Sequence, residues 1–188
     1  MILRANIRTL ELSATTGRSK KLASDYPRDL LGYGPTPPHA NWPSGARLAL
    51  SLVLNYEEGG ENTVLHGDAG SEQFLADIGP AHIEPLIGQR AYNTESMFEY
   101  GSRAGFWRIH RLLTERQIPL TVYGVGMALE RNPQAAKAMA EAGWEVAGHA
   151  YRWINYAGMP EAEEREQMAR AVAAVKSTVG ERPVGWYC

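Results

Sequence analysis

The sequence predicts an α/β fold built on parallel strands, and three observations carry that expectation. Short apolar runs alternate with helical stretches in the order β-α-β-α-β-α-β, which lays each strand beside an earlier one through a right-handed crossover. Residues 47–54 alternate strictly, with Leu48, Leu50, Leu52 and Leu54 on one face and Ala49, Ser51 and Val53 on the other, as in a strand covered on both sides. The leucines suit packing under helices, and the small residues suit a crowded interior such as that of a barrel.

The elements follow in order. Residues 1–24 lack the apolar stretch of about 7–15 residues that a secretory signal needs and are expected to form a disordered or poorly packed leader. Residues 25–188 are expected to form one domain, entered through an extended arm over 25–44 whose Pro and Gly density suits neither helix nor central strand. Beyond the first strand, the parity of Val53 places Asn55 and Glu57 at the sheet's mouth. Residues 58–101 form a long Gly-rich loop, a length uncommon unless functional, and suit a lid or a subunit contact. A helix is expected over 102–117, capped by Ser102, with Phe106, Ile109 and Leu113 at helical spacing. The second strand covers 120–125. Asn132 caps and Pro133 opens the next helix, with a stripe of Ala135, Ala138, Met139 and Ala142 and a stop at Gly143.

The third strand, 144–147, delivers His149 at its carboxyl end. Pro160 opens a helix with Glu161, Glu163 and Glu164 in its first turn, where acidic groups oppose the helix dipole. Its stripe is Met168, Ala171, Val172, Val175 and Val179, and Gly180 ends it. Residues 183–187 begin a fourth strand.

The chain has 188 residues, 44% of them hydrophobic, and a net charge of -2, ordinary values for a soluble globular domain. No run of five like charges is present, so neither nucleic acid nor a membrane surface is an expected partner. No apolar run reaches the roughly 18 residues of a membrane span. The one cysteine, Cys188, permits no disulfide within the chain and no thiolate zinc site, and a cytoplasmic location is the simplest expectation. A small-molecule substrate and a homo-oligomeric assembly are expected.

Ligands of parallel α/β structures sit at the carboxyl ends of the strands. Asn55-Tyr56-Glu57-Glu58, His149 to Trp153, and Gly185-Trp186-Tyr187 all fall there. Adjacent carboxylates at a crowded mouth would repel and raise one proton affinity toward that of a general base, although such a pair also occurs in plain exposed turns. His149 reads equally as a histidine satisfied by backbone groups, and Trp186 and Tyr187 as packing. His39, His66, His82 and His110 show no ligand spacing. Gly124-Val125-Gly126 lacks the third glycine of a dinucleotide fingerprint, since Leu129 stands there, and no acidic residue ends the next strand.

Six phrases in these regions resemble the deacetylase-like allantoinases of the polysaccharide deacetylase superfamily: YPRDLLGYG at 26–34, LNYEEGGE at 54–61, VLHGD at 64–68, EYGSRAG at 99–105, HAYRWINY at 149–156 and RPVGWY at 182–187. The resemblance covers about residues 25–187. It implies an irregular parallel (β/α) barrel of the polysaccharide deacetylase type, truncated here after about four strands, without the later motifs. Cys188 stands where relatives commonly continue with Thr-Gly-Arg, which suggests a fragment, an interrupted reading frame or a split gene product.

Metal-dependent members of that superfamily use an aspartate pair, the first as base and the second as metal ligand, with two histidines at i and i+4. Here Glu57 and Glu58 take the pair, His149 matches the first histidine, and Trp153 replaces the second. Indole N–H cannot coordinate a metal and a catalytic zinc wants three protein ligands. The resemblance therefore implies no tightly held metal, with Glu58 and His149 as vestigial ligand positions. It implies hydrolysis of the cyclic amide of allantoin to allantoate in purine catabolism. Glu57 would act as base with His149 beside it, and Glu58, Arg152, Trp153, Trp186 and Tyr187 would bind the substrate. A metal-dependent chitin or peptidoglycan deacetylase and an inactive fragment are the alternatives.

Overall fold

The computed structural model describes residues 28, 30, 32–74 and 84–187. The leader expected over 1–24, His82 and Cys188 lie outside them. The chain divides into two units, Met1–Ala49 and Leu50–Cys188. In the first, the described residues are exposed and hold one 3₁₀ turn, Pro43–Gly45, and no strand, in keeping with an extended arm.

In the second unit, β1 (Val53–Tyr56), β4 (Thr121–Gly124) and β5 (Glu145–Gly148) form a parallel sheet in the order β1-β4-β5. Val53 pairs with Thr121, and Thr121 with Glu145. A single parallel bridge from Gly148 to Trp186 extends the sheet beyond β5. The expected fourth strand is therefore present only as its first contact. Two short strands, β2 (Gly70–Ser71) and β3 (Leu86–Ile87), pair antiparallel apart from this sheet.

The first strand begins later than the leucine alternation suggests. Leu48 and Leu50 are 75% and 79% exposed and Leu52 is 36% exposed, so of the expected leucine face only Leu54 packs against the core. A strand forms only where a partner runs beside it. The partner here is β4, which starts at Thr121 just after the turn that ends a helix, and the last bond toward the amino terminus is Thr121 N–H to Leu52 C=O. The parity reading nonetheless holds: Val53, Asn55 and Glu57 continue along one face.

The expected loop 58–101 carries more structure than foreseen. It contains a 3₁₀ turn at Val64–His66, β2, β3, and α1 (Tyr92–Tyr100). Helical structure runs from α1 through a π turn, Gly101–Gly105, into α2 (Phe106–Glu115). Ser102 is no cap, since it lies within that turn and donates to Glu99 C=O at 3.3 Å. Gly101 does not break the helix: its bare Cα lets the Glu58 carboxylate lie where a Cβ would overlap it.

A helix missed by the sequence reading, α3 (Gly126–Arg131), follows β4 directly. Gly124 and Gly126 are packing positions, because added Cβ atoms would press on Leu129 and Val146 at the first and on Tyr151 and Ala174 at the second. In α4 (Pro133–Glu141), Asn132 caps as expected, its Oδ1 accepting from Ala135 N–H at 3.1 Å while its Nδ2 donates to Tyr56 OH at 2.9 Å. Such a cap contributes about 1 kcal/mol.

The last helix, α5 (Glu161–Val179), starts after Pro160 and stops at Gly180 with φ 97°. Its buried stripe is Ala171, Ala174 and Val175, whereas Met168 is 44% exposed. Small residues win that face because α5 packs closely on Gly126 of α3. Tyr56, Phe106, Val122, Val125, Leu129, Met139, Trp144, Val146 and Val175 form the core between sheet and helices. Among the described residues, no helix is long and apolar enough to cross a membrane.

Candidate active site

β1 and β5 end at the same edge of the sheet and present Glu57 and His149 to each other across β4. Glu57 Oε1 lies 2.9 Å from His149 Nε2, and both side chains are mostly covered. The same oxygen accepts from Asn55 Nδ2 at 2.9 Å. On the far side of the ring, His149 Nδ1 meets Tyr187 C=O at 3.1 Å. A carbonyl only accepts, so Nδ1 carries a proton, and the contact between Nε2 and the carboxylate is then bridged by a second. Burial works against a charged imidazole, but the bonds to Glu57 and to the Tyr187 carbonyl outweigh it and raise the His149 pKa.

An aromatic wall adjoins the pair. Tyr123 stacks on Tyr187 with centroids 4.4 Å apart and planes 8° from parallel, and the Tyr187 ring lies 5.0 Å from that of His149. The sequence reading gave Asn55 no role and passed over Tyr123. Tyr123 was visible in principle, because Thr121 and Tyr123 alternate with Leu120 and Val122, and the apolar pair turns to the core.

The other nominated residues lie elsewhere. Glu58, in the turn closed by Gly60 N–H to Glu57 C=O, points away from His149 toward Gly101. It accepts Glu57 N–H at 3.1 Å and lines a cavity of about 380 Å³ with Glu61, His66, Arg131 and Asn132, a cavity that includes neither Glu57 nor His149. Its pKa is raised, chiefly by burial; repulsion from Glu57 contributes less. The raised proton affinity therefore belongs to the carboxylate turned away from His149.

Arg152 grips Asp68 with two N–H groups, at 2.9 and 2.6 Å, and donates to Glu61 C=O at 3.0 Å. Trp153 donates its backbone N–H to Gly60 C=O and tilts against the Phe74 ring at 5.8 Å. The Trp186 ring covers Gly148, where a Cβ would overlap it. Glu57, His149 and Tyr187 are thus brought together, whereas the Glu58, Arg152, Trp153 and Trp186 side chains take other partners, Glu58 meeting Glu57 only at its backbone N–H.

Glu58 faces Gly101, both ring nitrogens of His149 are engaged, and position 153 offers an indole. Among the described residues no three His, Cys, Asp or Glu side chains are grouped as a metal would require.

The polysaccharide deacetylase family model matches residues 93–188, and the chain belongs to that family. It is 54% identical to the crystal structure of Puue allantoinase, with a TM-score of 0.79, covering 87% of this chain and 54% of that one. A polysaccharide deacetylase-type structure from Pseudomonas aeruginosa PAO1 is likewise 54% identical, with TM-score 0.79, covering 86% of this chain and 53% of its own. A polysaccharide deacetylase-type protein of Schizosaccharomyces pombe is 44% identical over 165 residues, 85% of this chain and 51% of the relative. The chain thus spans about half the length of these relatives. The described strands form part of the parallel (β/α) barrel of the polysaccharide deacetylase type.

Proposed function

We propose that this chain supplies the amino-terminal part of a metal-independent amidohydrolase that opens the cyclic amide of allantoin to give allantoate. The observation that carries the reading is the Glu57–His149 contact, with Oε1 of Glu57 committed to two donors. Oε2, which has no hydrogen-bond partner among the described residues, would take a proton from water as its oxygen adds to the ring carbonyl carbon. When the C–N bond breaks, His149 would pass its Nε2 proton to the leaving nitrogen, and the proton held by Glu57 would return to His149. The balance needs no further reactant. Without a Lewis acid, the developing oxyanion needs preorganised donors.

Tyr187, stacked with Tyr123, would carry the flat ring, with Trp186 and Trp153 as outer walls. Arg152 would act by holding residues 61–68 in place. The likeness to Puue allantoinase supports this substrate, and the indole at position 153, which donates but cannot coordinate, supports a metal-free site.

Allantoin hydrolysis by the purified chain, and by a longer protein that adds the rest of a relative's sequence, tests the reading with and without a chelator. Activity should survive chelation, and Glu57→Gln should lower kcat at least about 100-fold, the scale of general base catalysis. Loss of activity on chelation would overturn the metal-free site. If both proteins fold and neither turns over allantoin, the substrate is wrong. The equal likeness to the Pseudomonas aeruginosa protein favours acetylated sugars as the second substrate class, with the same pair directing water onto an acetamide carbonyl.

A further inference from the structure

We propose that Asn55 is a positioning residue for Glu57: it pins Oε1 against His149, leaving Oε2 as the oxygen that meets water. The inference deepens the proposed function and rests on Glu57 being the base.

The terminal torsion of a glutamate is broad and nearly two-fold, so an isolated carboxylate does not hold its plane in one direction. Here two donors converge on Oε1, Asn55 Nδ2 and His149 Nε2, each at 2.9 Å. Rotating the carboxylate plane out of this orientation would break both bonds, whereas a half-turn exchanges two equivalent oxygens and restores them, so one oxygen stays against the donors and the other faces away. The donors come from opposite sides of β4, Asn55 from β1 and His149 from the end of β5.

Each donor is itself held. Asn55 is fixed by its strand pairing opposite Tyr123, and His149 by the Tyr187 carbonyl at Nδ1. Residues two apart on a strand share a face, so Asn55 reaches Glu57 without bending the backbone. An amide is apt there, because its NH₂ group donates to a carboxylate and a side-chain carboxylate in its place would repel.

The test uses Asn55→Leu, nearly the same size without a donor, and Asn55→Ser, which keeps a short hydroxyl donor. The exposed position of Asn55 keeps both substitutions out of the core. Nitrogen-15 NMR of the His149 ring, taken without substrate, should show the Nε2–H signal shifted or broadened in Asn55→Leu and closer to native in Asn55→Ser. In kinetics, Asn55→Leu should lower kcat by about 100-fold with KM little changed, the scale of a small misplacement of a catalytic group. Asn55→Ser should recover part of it.

An unchanged Nε2 signal in Asn55→Leu would overturn the proposal whatever the kinetics, and a raised KM with native kcat would make Asn55 a substrate contact instead. If the signal moves as expected but the native protein does not hydrolyse allantoin, the positioning stands and the substrate reading falls.

Discussion

Arg152 and Asp68 are 84 residues apart in the chain, and their two-pronged contact ties the segment after β5 to the segment after β1. The hydrogen bonds from Arg152 hold the Asp68 carboxyl below its ordinary pKa, against a smaller opposing effect of burial. A carboxylate lowered on folding adds stability above its unfolded pKa of about 3.9, and that stability drains away as pH falls through the lower folded value. Arg152→Ala should therefore cost about 1–2 kcal/mol at neutral pH, the scale of a charged hydrogen bond in a partly covered site, and less at pH 3, below the unfolded pKa of about 3.9. Thermal melts at the two pH values check this, and equal losses at both would place the effect in packing. The resemblance implied substrate binding for Arg152; nothing local in the sequence announces its ion pair with Asp68 so far away. Glu57 and His149 were legible because strand parity and strand ends place them, independently of loop conformation.

Elements were legible where periodicity was their own and obscure where a neighbour decided them. The cap at Asn132, the start of α5 after Pro160 and its stop at Gly180 follow local rules, and they appear where the sequence put them. The start of β1 depends on where β4 begins, which the leucine alternation cannot report. Where α1 runs on toward α2, Gly101 lies against Glu58, a residue outside both helices. Gly101 reads as a breaker, yet the helix widens into a π turn and runs on, with Phe106 N–H bonded to Gly101 C=O, a feature often found near functional sites. Gly101→Ala should force Glu58 from its place and cost about 1–3 kcal/mol, as overpacking does. Adding Glu58→Ala should recover most of that loss in a double-mutant cycle, followed by denaturant unfolding. Additive losses would mean that the helix, and not its contact with Glu58, objects to the methyl group.

Within the unit Leu50–Cys188 the sheet presents two unlike faces. One meets the helices and is buried through Tyr56, Val122 and Val146. The other carries Val53, 43% exposed, with Asn55, Tyr123 and Tyr187, 46% exposed, and it is the face on which the Glu57–His149 pair lies. Among the described residues β1 has no sheet partner on its outer side, so its backbone groups offer an edge to another chain. A face that leaves Val53 and Tyr187 part-exposed beside an open edge favours association, and on that ground we propose that the chain forms a homo-oligomer. The chain alone should bind a hydrophobic dye and sediment as larger species as its concentration rises. Val53→Lys places a charge on both the face and the edge, the device by which natural edge strands resist pairing. It should shift the population toward monomer and weaken dye binding while leaving the helical circular dichroism unchanged, because Val53 lies outside the core between sheet and helices. A native chain that stays monomeric and dye-free across the range would show that this face is covered in solution by the chain's own residues.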